Sequence, residues 1–327
     1  MDANDGNDIW GWTDQTSGRE FALMGLDNGV AFVDISEPTN PPYLGKLPTH
    51  TANSIWRDVK VYQDYAFVVS EASGHGLQIF DLKQLLDVVN PPVTFVETGH
   101  YDQFGGAHNI AINEDSGYAY VVGAYPSCSG GLHMINIQDP TNPTFAGCFS
   151  QDGYTHDAQC VIYHGPDTNY QGNEVCFNSN EDTLTIADVT DKNNPVQLAR
   201  KGYSGAAYTH QGWLTEDHTY FLLGDEGDQS NYEFTRTYIW DVSDLSNPIV
   251  IGIYTATVSA IDHNLYIHNG LVYEANYRSG LRILDAALIP NGTLAEVAFF
   301  DTYPPSDSAS YNGAWSVNPF FDSGNII

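Results

Sequence analysis

The chain has 327 residues, 42% of them hydrophobic, and 41 acidic against 11 basic residues give it a formal charge of -30. A balance this acidic excludes nucleic acid as a partner, because no basic groove can be assembled to displace its counterions, and it excludes adhesion to an anionic membrane surface. No apolar run approaches the ~20 residues that a membrane-spanning helix needs, so direct membrane insertion is not expected.

The hydrophobic content supports a substantial core. With 21 Tyr, 15 Phe, 6 Trp, 30 Gly and 16 Pro and few helix-forming runs, the composition reads as all-β, in one domain over residues 1–327. The acidic surface fits solubility in a salty extracellular setting. The opening Met1-Asp2-Ala3-Asn4-Asp5 reads as a start placed before an already trimmed mature domain, without a signal peptide.

In chain order, one pattern returns six times, at residues 29–35, 76–82, 131–137, 183–189, 236–242 and 280–286. Each is an alternating strand that ends in an acidic or amide residue: Asp34, Asp81, Asn136, Asp188, Asp241 and Asp285. Asn-Pro turns follow at Asn40-Pro41, Asn142-Pro143, Asn194-Pro195 and Asn247-Pro248, and Asn90-Pro91 follows a longer insert. The interval of 44 to 55 residues fits one four-stranded propeller blade per repeat.

Within the second repeat, residues 57–62, 65–70, 77–81 and 93–98 read as strands one to four. Blade starts fall near residues 8, 57, 107, 155, 209 and 262, with a seventh at Ala314. The expectation is a seven-bladed β-propeller of four-stranded antiparallel blades whose last blade stops inside its second strand. That would leave an unpaired sheet edge. Either residues 1–7 help to close the ring or the natural chain continues past Ile327; the second is expected.

The four cysteines form two sequence-local pairs, Cys128 with Cys148 and Cys160 with Cys176. An even count, with no Cys-x-x-Cys, predicts disulfides in an oxidising compartment and not a zinc knuckle.

Several longer motifs run through the repeats: Trp56-Arg57-Asp58, Ser70-Glu71-Ala72-Ser73-Gly74-His75-Gly76, Ala107-His108-Asn109-Ile110, Thr155-His156-Asp157-Ala158-Gln159-Cys160, Thr209-His210-Gln211-Gly212-Trp213 and Ala260-Ile261-Asp262-His263-Asn264. With Ala275-Asn276-Tyr277-Arg278-Ser279-Gly280-Leu281, they resemble the LVIVD-repeat, choice-of-anchor B proteins of bacterial surfaces over nearly the whole chain. The resemblance implies a secreted or surface-attached β-propeller, cell-surface or periplasmic, whose anchor varies among members. It implies no particular reaction.

Aligned by first strands, one column reads Asn7, Arg57, His108, His156, His210, His263, Ala314, and the next reads Asp8, Asp58, Asn109, Asp157, Gln211, Asn264, Trp315. First strands line a propeller's central channel, so His108, His156, His210 and His263 are expected to converge as metal ligands. Asp157, Asn109, Gln211 and Asn264 would hold the rings by hydrogen bonds. Imidazoles beside carboxylates suit one zinc, manganese, iron, copper or nickel ion. A separate calcium ion on Asp225, Glu226 and Asp228 is a weaker expectation.

Loops between second and third strands open on the same face and add Glu71, His75, Glu226, Tyr277 and Arg278. Asp58, Glu226 or Tyr277 would act as a general base, and Arg57 and Arg278, with Glu71 and His75, would bind substrate. The sequence thus points to a secreted metal-dependent enzyme (lyase, hydrolase or oxygenase) acting on an extracellular small molecule, possibly anionic. The alternative is a non-catalytic surface module for a glycan or protein, in which blade-head histidines merely fix turns by hydrogen bonds or hold a structural metal. No Gly-x-Ser-x-Gly elbow is present, which leaves serine-hydrolase chemistry a poor third.

Overall fold

A computed structural model describes residues 2–327. The chain forms two compact units, one of residues up to 150 together with 318–327, the other of residues 151–317.

The first unit carries three blades. The strands are β1 (Gly6–Thr13), β2 (Glu20–Leu26), β3 (Gly29–Asp34) and β4 (Tyr43–Pro48), then β5 (Arg57–Tyr62), β6 (Tyr65–Ser70) and β7 (Leu77–Asp81). They continue with β8 (Val93–Thr94), β9 (Gly99–Tyr101), β10 (Asn109–Asn113), β11 (Tyr118–Val122), β12 (Leu132–Asn136) and β13 (Thr144–Phe149). The middle strands are apolar on both faces, as β6 shows with five consecutive buried residues, because each face packs on a neighbouring blade. Phe32, Phe80 and Phe95 fill one such interface, with the Phe32 and Phe80 rings stacked at 4.9 Å.

The second unit repeats the plan. Its strands are β14 (Asp157–Ile162), β15 (Glu174–Ser179), β16 (Leu184–Asp188), β17 (Val196–Lys201), β18 (Thr209–Leu214) and β19 (Tyr220–Asp225). The last six are β20 (Arg236–Asp241), β21 (Ile249–Thr255), β22 (Asn264–His268), β23 (Leu271–Ala275), β24 (Leu281–Asp285) and β25 (Ala295–Phe300). Phe177 stacks on Phe221 at 5.4 Å, and buried Tyr238 and Trp240 extend that core.

Six antiparallel sheets of this kind correct the expected blade number: the fold is an all-β, six-bladed β-propeller, not a seven-bladed one. The stretch read as the start of a seventh blade forms no strand. Ala314 makes an isolated bridge to Tyr277. Residues 318–327 lie against blade one, where Phe321 packs with Ala22 and Ile35, and Glu20 accepts hydrogen bonds from Ser323 and Asn325.

A second correction concerns the insert after β7. Val93–Thr94 is not the fourth strand of blade two but pairs in parallel with β4 of blade one, and Gly99–Tyr101 takes the fourth position. The insert thereby covers the outer edge of blade one, a position that otherwise exposes unpaired backbone groups.

Both predicted disulfides are present, Cys128–Cys148 and Cys160–Cys176. Cys160 and Cys176 face each other across β14 and β15. Among the described residues no helix is long and apolar enough to cross a membrane.

Candidate metal centre

The heads of β18 and β22 in the second unit place His210 and His263 beside each other, with ring centroids 4.2 Å apart. The loop after β19 brings Glu226 against both. His210 Nε2 lies 3.8 Å from Glu226 Oε2, and His263 Nε2 lies 3.7 Å from Glu226 Oε1. One ligand atom from each of the three lies within 4.8 Å of the others. Among the described residues this is the one place where three such groups converge.

Backbone carbonyls orient the rings of His263 and His156. His263 directs Nδ1 onto the Trp315 carbonyl, which leaves Nε2 on the Glu226 side. His156 uses the same device, its Nδ1 2.9 Å from the His210 carbonyl, and packs on the His210 ring at 4.1 Å. A histidine that donates Nδ1–H to a carbonyl carries its lone pair on Nε2, the tautomer a metal ligand needs.

Glu226 is oriented in turn. Tyr277 donates its hydroxyl to Glu226 Oε1 at 2.7 Å. Burial, and then the charge of Glu226, push the Tyr277 phenol well above its ordinary range, so it stays protonated and serves as a donor. Tyr277 sits at φ +36°, in the left-handed region that a bulky residue rarely adopts. Paired backbone bonds with Ala314, at 3.0 and 2.9 Å, hold it there. Backbone strain of this kind collects at functional positions.

Behind Glu226 the loop is built on buried carboxylates. Asp225 accepts from the amides of Ala207, Tyr208 and Gly227 and from the Tyr203 hydroxyl. Its own amide donates to Asp262 Oδ2 at 2.9 Å. A Cβ at position 224 would strike that Asp262 oxygen, so a larger residue there must displace the Asp262 carboxylate. Asp228 accepts from Tyr238, and burial and then Asp225 raise its pKa to about 7. The oxygens of Asp225 thus accept from N–H and O–H donors of its own unit.

The other expected site residues are placed as follows. His108 belongs to the first unit, its Nδ1 2.6 Å from Glu71 Oε1. Arg57 is buried there too. It donates to the Leu26 carbonyl and Thr49 Oγ1, and meets His75 Nε2 at 2.9 Å. Burial, and next the Arg57 charge, hold the His75 pKa down at about 3. Asp58, in the same unit, accepts from the Ile110 amide at 2.8 Å and pairs with Lys60.

The polar column beside the histidines ties one blade to the next. Gln211 exchanges both amide bonds with Leu265, at 2.9 and 3.0 Å, and Asn264 donates to Ser316 Oγ at 3.1 Å. Asp157 caps the amide of Ala158, and Asn109 begins β10 in the first unit. Arg278 reaches the segment before Ala314, donating to Asn312 Oδ1 and Ser308 Oγ. Sequence reasoning named Glu226 as a base and as a calcium ligand, not as a ligand of the ion on the histidines. The carbonyls of His210 and Trp315 leave no side-chain signal, so their part in orienting the rings was not legible.

The LVIVD repeat model matches residues 20–49, 55–82, 104–150 and 237–256. The chain therefore carries LVIVD repeats. No curated protein matches the sequence. Among solved structures, hydrazine synthase of Kuenenia stuttgartiensis aligns over 100% of this chain and 96% of its own, with TM-score 0.64 and 12% identity. A functionally unknown protein from Desulfotomaculum acetoxidans aligns over 96% and 89%, with TM-score 0.62 and 11% identity. The Cps50 (Swd1) β-propeller domain of Myceliophteria thermophila aligns over 99% and 98%, with TM-score 0.57 and 12% identity. Likeness at this identity establishes the fold alone.

Proposed function

We propose that His210, His263 and Glu226 hold one transition-metal ion, and that the protein is a secreted or surface-attached metal-dependent enzyme of the hydrolase or lyase type. The observation that carries this reading is the convergence of the three ligand atoms within 4.8 Å. Three protein ligands leave positions for water or substrate, as in catalytic sites and unlike closed four-ligand structural sites. Two imidazoles and a carboxylate suit zinc, iron, manganese or nickel, and copper is the further candidate.

A metal in this position supplies Lewis acidity toward a substrate oxygen or a bound water. The protein's own groups do the rest. The Trp315 carbonyl fixes the His263 ring, His156 packs behind His210, and Tyr277 holds the Glu226 carboxylate in place. The two disulfides fit an oxidising compartment, and the resemblance to choice-of-anchor B proteins favours the bacterial surface.

Calorimetric titration of chelator-treated protein with zinc, manganese, iron, nickel and copper tests the site. One ion per chain for at least one of these metals, lost in His210→Ala and His263→Ala, is the expected result. Binding that both substitutions leave intact would place the metal elsewhere.

A further inference from the structure

In a chain with 41 acidic and only 11 basic residues, an arginine that faces no carboxylate stands out. Arg278 is one. Its Nε and Nη2 donate to Asn312 Oδ1 at 2.9 and 2.8 Å, and its Nη1 donates to Ser308 Oγ at 2.7 Å. Among the described residues it forms no ion pair, although Asp307 lies in the segment it grips. Its guanidinium also lies over the Tyr303 ring at 5.2 Å, so the charge is held in place by neutral groups alone, an arrangement that can take a carboxylate from outside the chain.

That charge stands next to the candidate metal centre. Arg278 follows Tyr277, the donor to Glu226. The segment it binds carries Tyr311, whose ring packs edge-on against Tyr277 at 5.4 Å. Tyr311 is 65% exposed. One exposed aromatic face thus lies against Tyr277, the residue that donates to Glu226.

The remaining residues of the segment are polar and small. Residues 303–312 read Tyr-Pro-Pro-Ser-Asp-Ser-Ala-Ser-Tyr-Asn; Ser306 bonds to Ser308, and Ser310 donates to Asn312 Oδ1. Hydroxyls and amides beside a flat ring recognise a polyhydroxylated ring better than an apolar one: the aromatic face takes the C–H side of a sugar and the polar groups take its hydroxyls.

We infer that Arg278 and Tyr311 form a substrate subsite for a carboxylated sugar, a hexuronate residue of a glycan, with the carboxylate on Arg278 and the ring against Tyr311. This deepens the metal-enzyme reading and rests on it for the chemistry, but not for the binding.

The test is calorimetry with trisaccharides of glucuronate and of galacturonate, each set against its methyl ester, which removes the charge and keeps the ring. Metal content is measured on every sample. The inference predicts that one of the free acids binds at least ~10-fold more tightly than its ester, as expected for loss of one charged contact. It also predicts that Arg278→Gln removes this preference, that Tyr311→Ala weakens acid and ester alike, and that neither variant loses metal. Equal binding of acid and ester, an unchanged preference in Arg278→Gln, or no binding of either acid would overturn it. Arg278-dependent uronate binding by a protein that holds no metal would uphold the subsite while removing the metal reading.

Discussion

Tyr277 donates its hydroxyl to Glu226 Oε1 at 2.7 Å while its backbone is held in the left-handed region. A buried phenol in that geometry has one evident task, to fix the carboxylate between His210 and His263. Tyr277→Phe removes the hydroxyl and keeps the packing. Its metal affinity, measured by competition with a chelator, is expected to fall ~10–100-fold, the range for loss of a group that orients a ligand. Unchanged affinity would mean that Glu226 is held by other contacts or does not bind the ion.

Gln211 is buried and exchanges two amide bonds with Leu265. Gln211→Leu strands both backbone groups, and each buried group left unsatisfied costs ~1–3 kcal/mol. The expected outcome is a lower urea midpoint with full metal content in the protein that remains folded. Loss of metal without loss of stability would instead assign Gln211 to the metal centre.

The disulfide between Cys160 and Cys176 closes a short loop inside blade four, with a sequence separation of 16. Replacing both cysteines by alanine is expected to cost ~3 kcal/mol, read as a fall in the melting temperature that reductant no longer deepens at this bridge. An unchanged melting temperature in the double alanine variant would show that this bridge adds nothing to stability.

His75 is buried, and its pKa is held at about 3, against 6.5 for an unperturbed histidine, first by burial and then by Arg57. Between these values the unfolded chain accepts a proton that the folded protein refuses. Stability is therefore lost as pH falls through this window, by up to ~1.4 kcal/mol per pH unit for the one group. In His75→Gln this loss is absent, so the stability advantage of wild type over the variant should shrink from pH 7 to pH 4. A constant difference across that range would contradict the assignment.

Much of the fold was legible because the period resides in local chemistry: alternating third strands, their terminal Asp or Asn, and Asn-Pro turns. The six true blade heads fall at the expected places. The seventh was misread for an instructive reason. The Trp315 carbonyl meets His263 Nδ1 as the His210 carbonyl meets His156 Nδ1, and Ser316 meets Asn264. Residues 314–316 thus make the contacts of a neighbouring blade head without forming a blade, and only the absence of hydrogen-bonded partner strands separates the two cases.

Strand partners were the other loss. The alternation in residues 93–98 marks a strand but not its partner, and Val93 pairs with Gly45 of blade one. At the site, the histidine column offered four candidates; His210 and His263 stand beside Glu226, His156 packs on His210 and His108 meets Glu71, while the loops after second strands offered Glu226 and Tyr277. Their distances, and the carbonyls that set the ring tautomers, belong to tertiary structure.

The most direct measurement is elemental analysis of protein purified without a metal-affinity tag, beside the His210→Ala, His263→Ala double variant. The account predicts close to one transition-metal ion per wild-type chain and none in a folded double variant. A wild-type protein that is metal-free and fully stable, and stays metal-free after exposure to zinc, manganese, iron, nickel and copper, would contradict it.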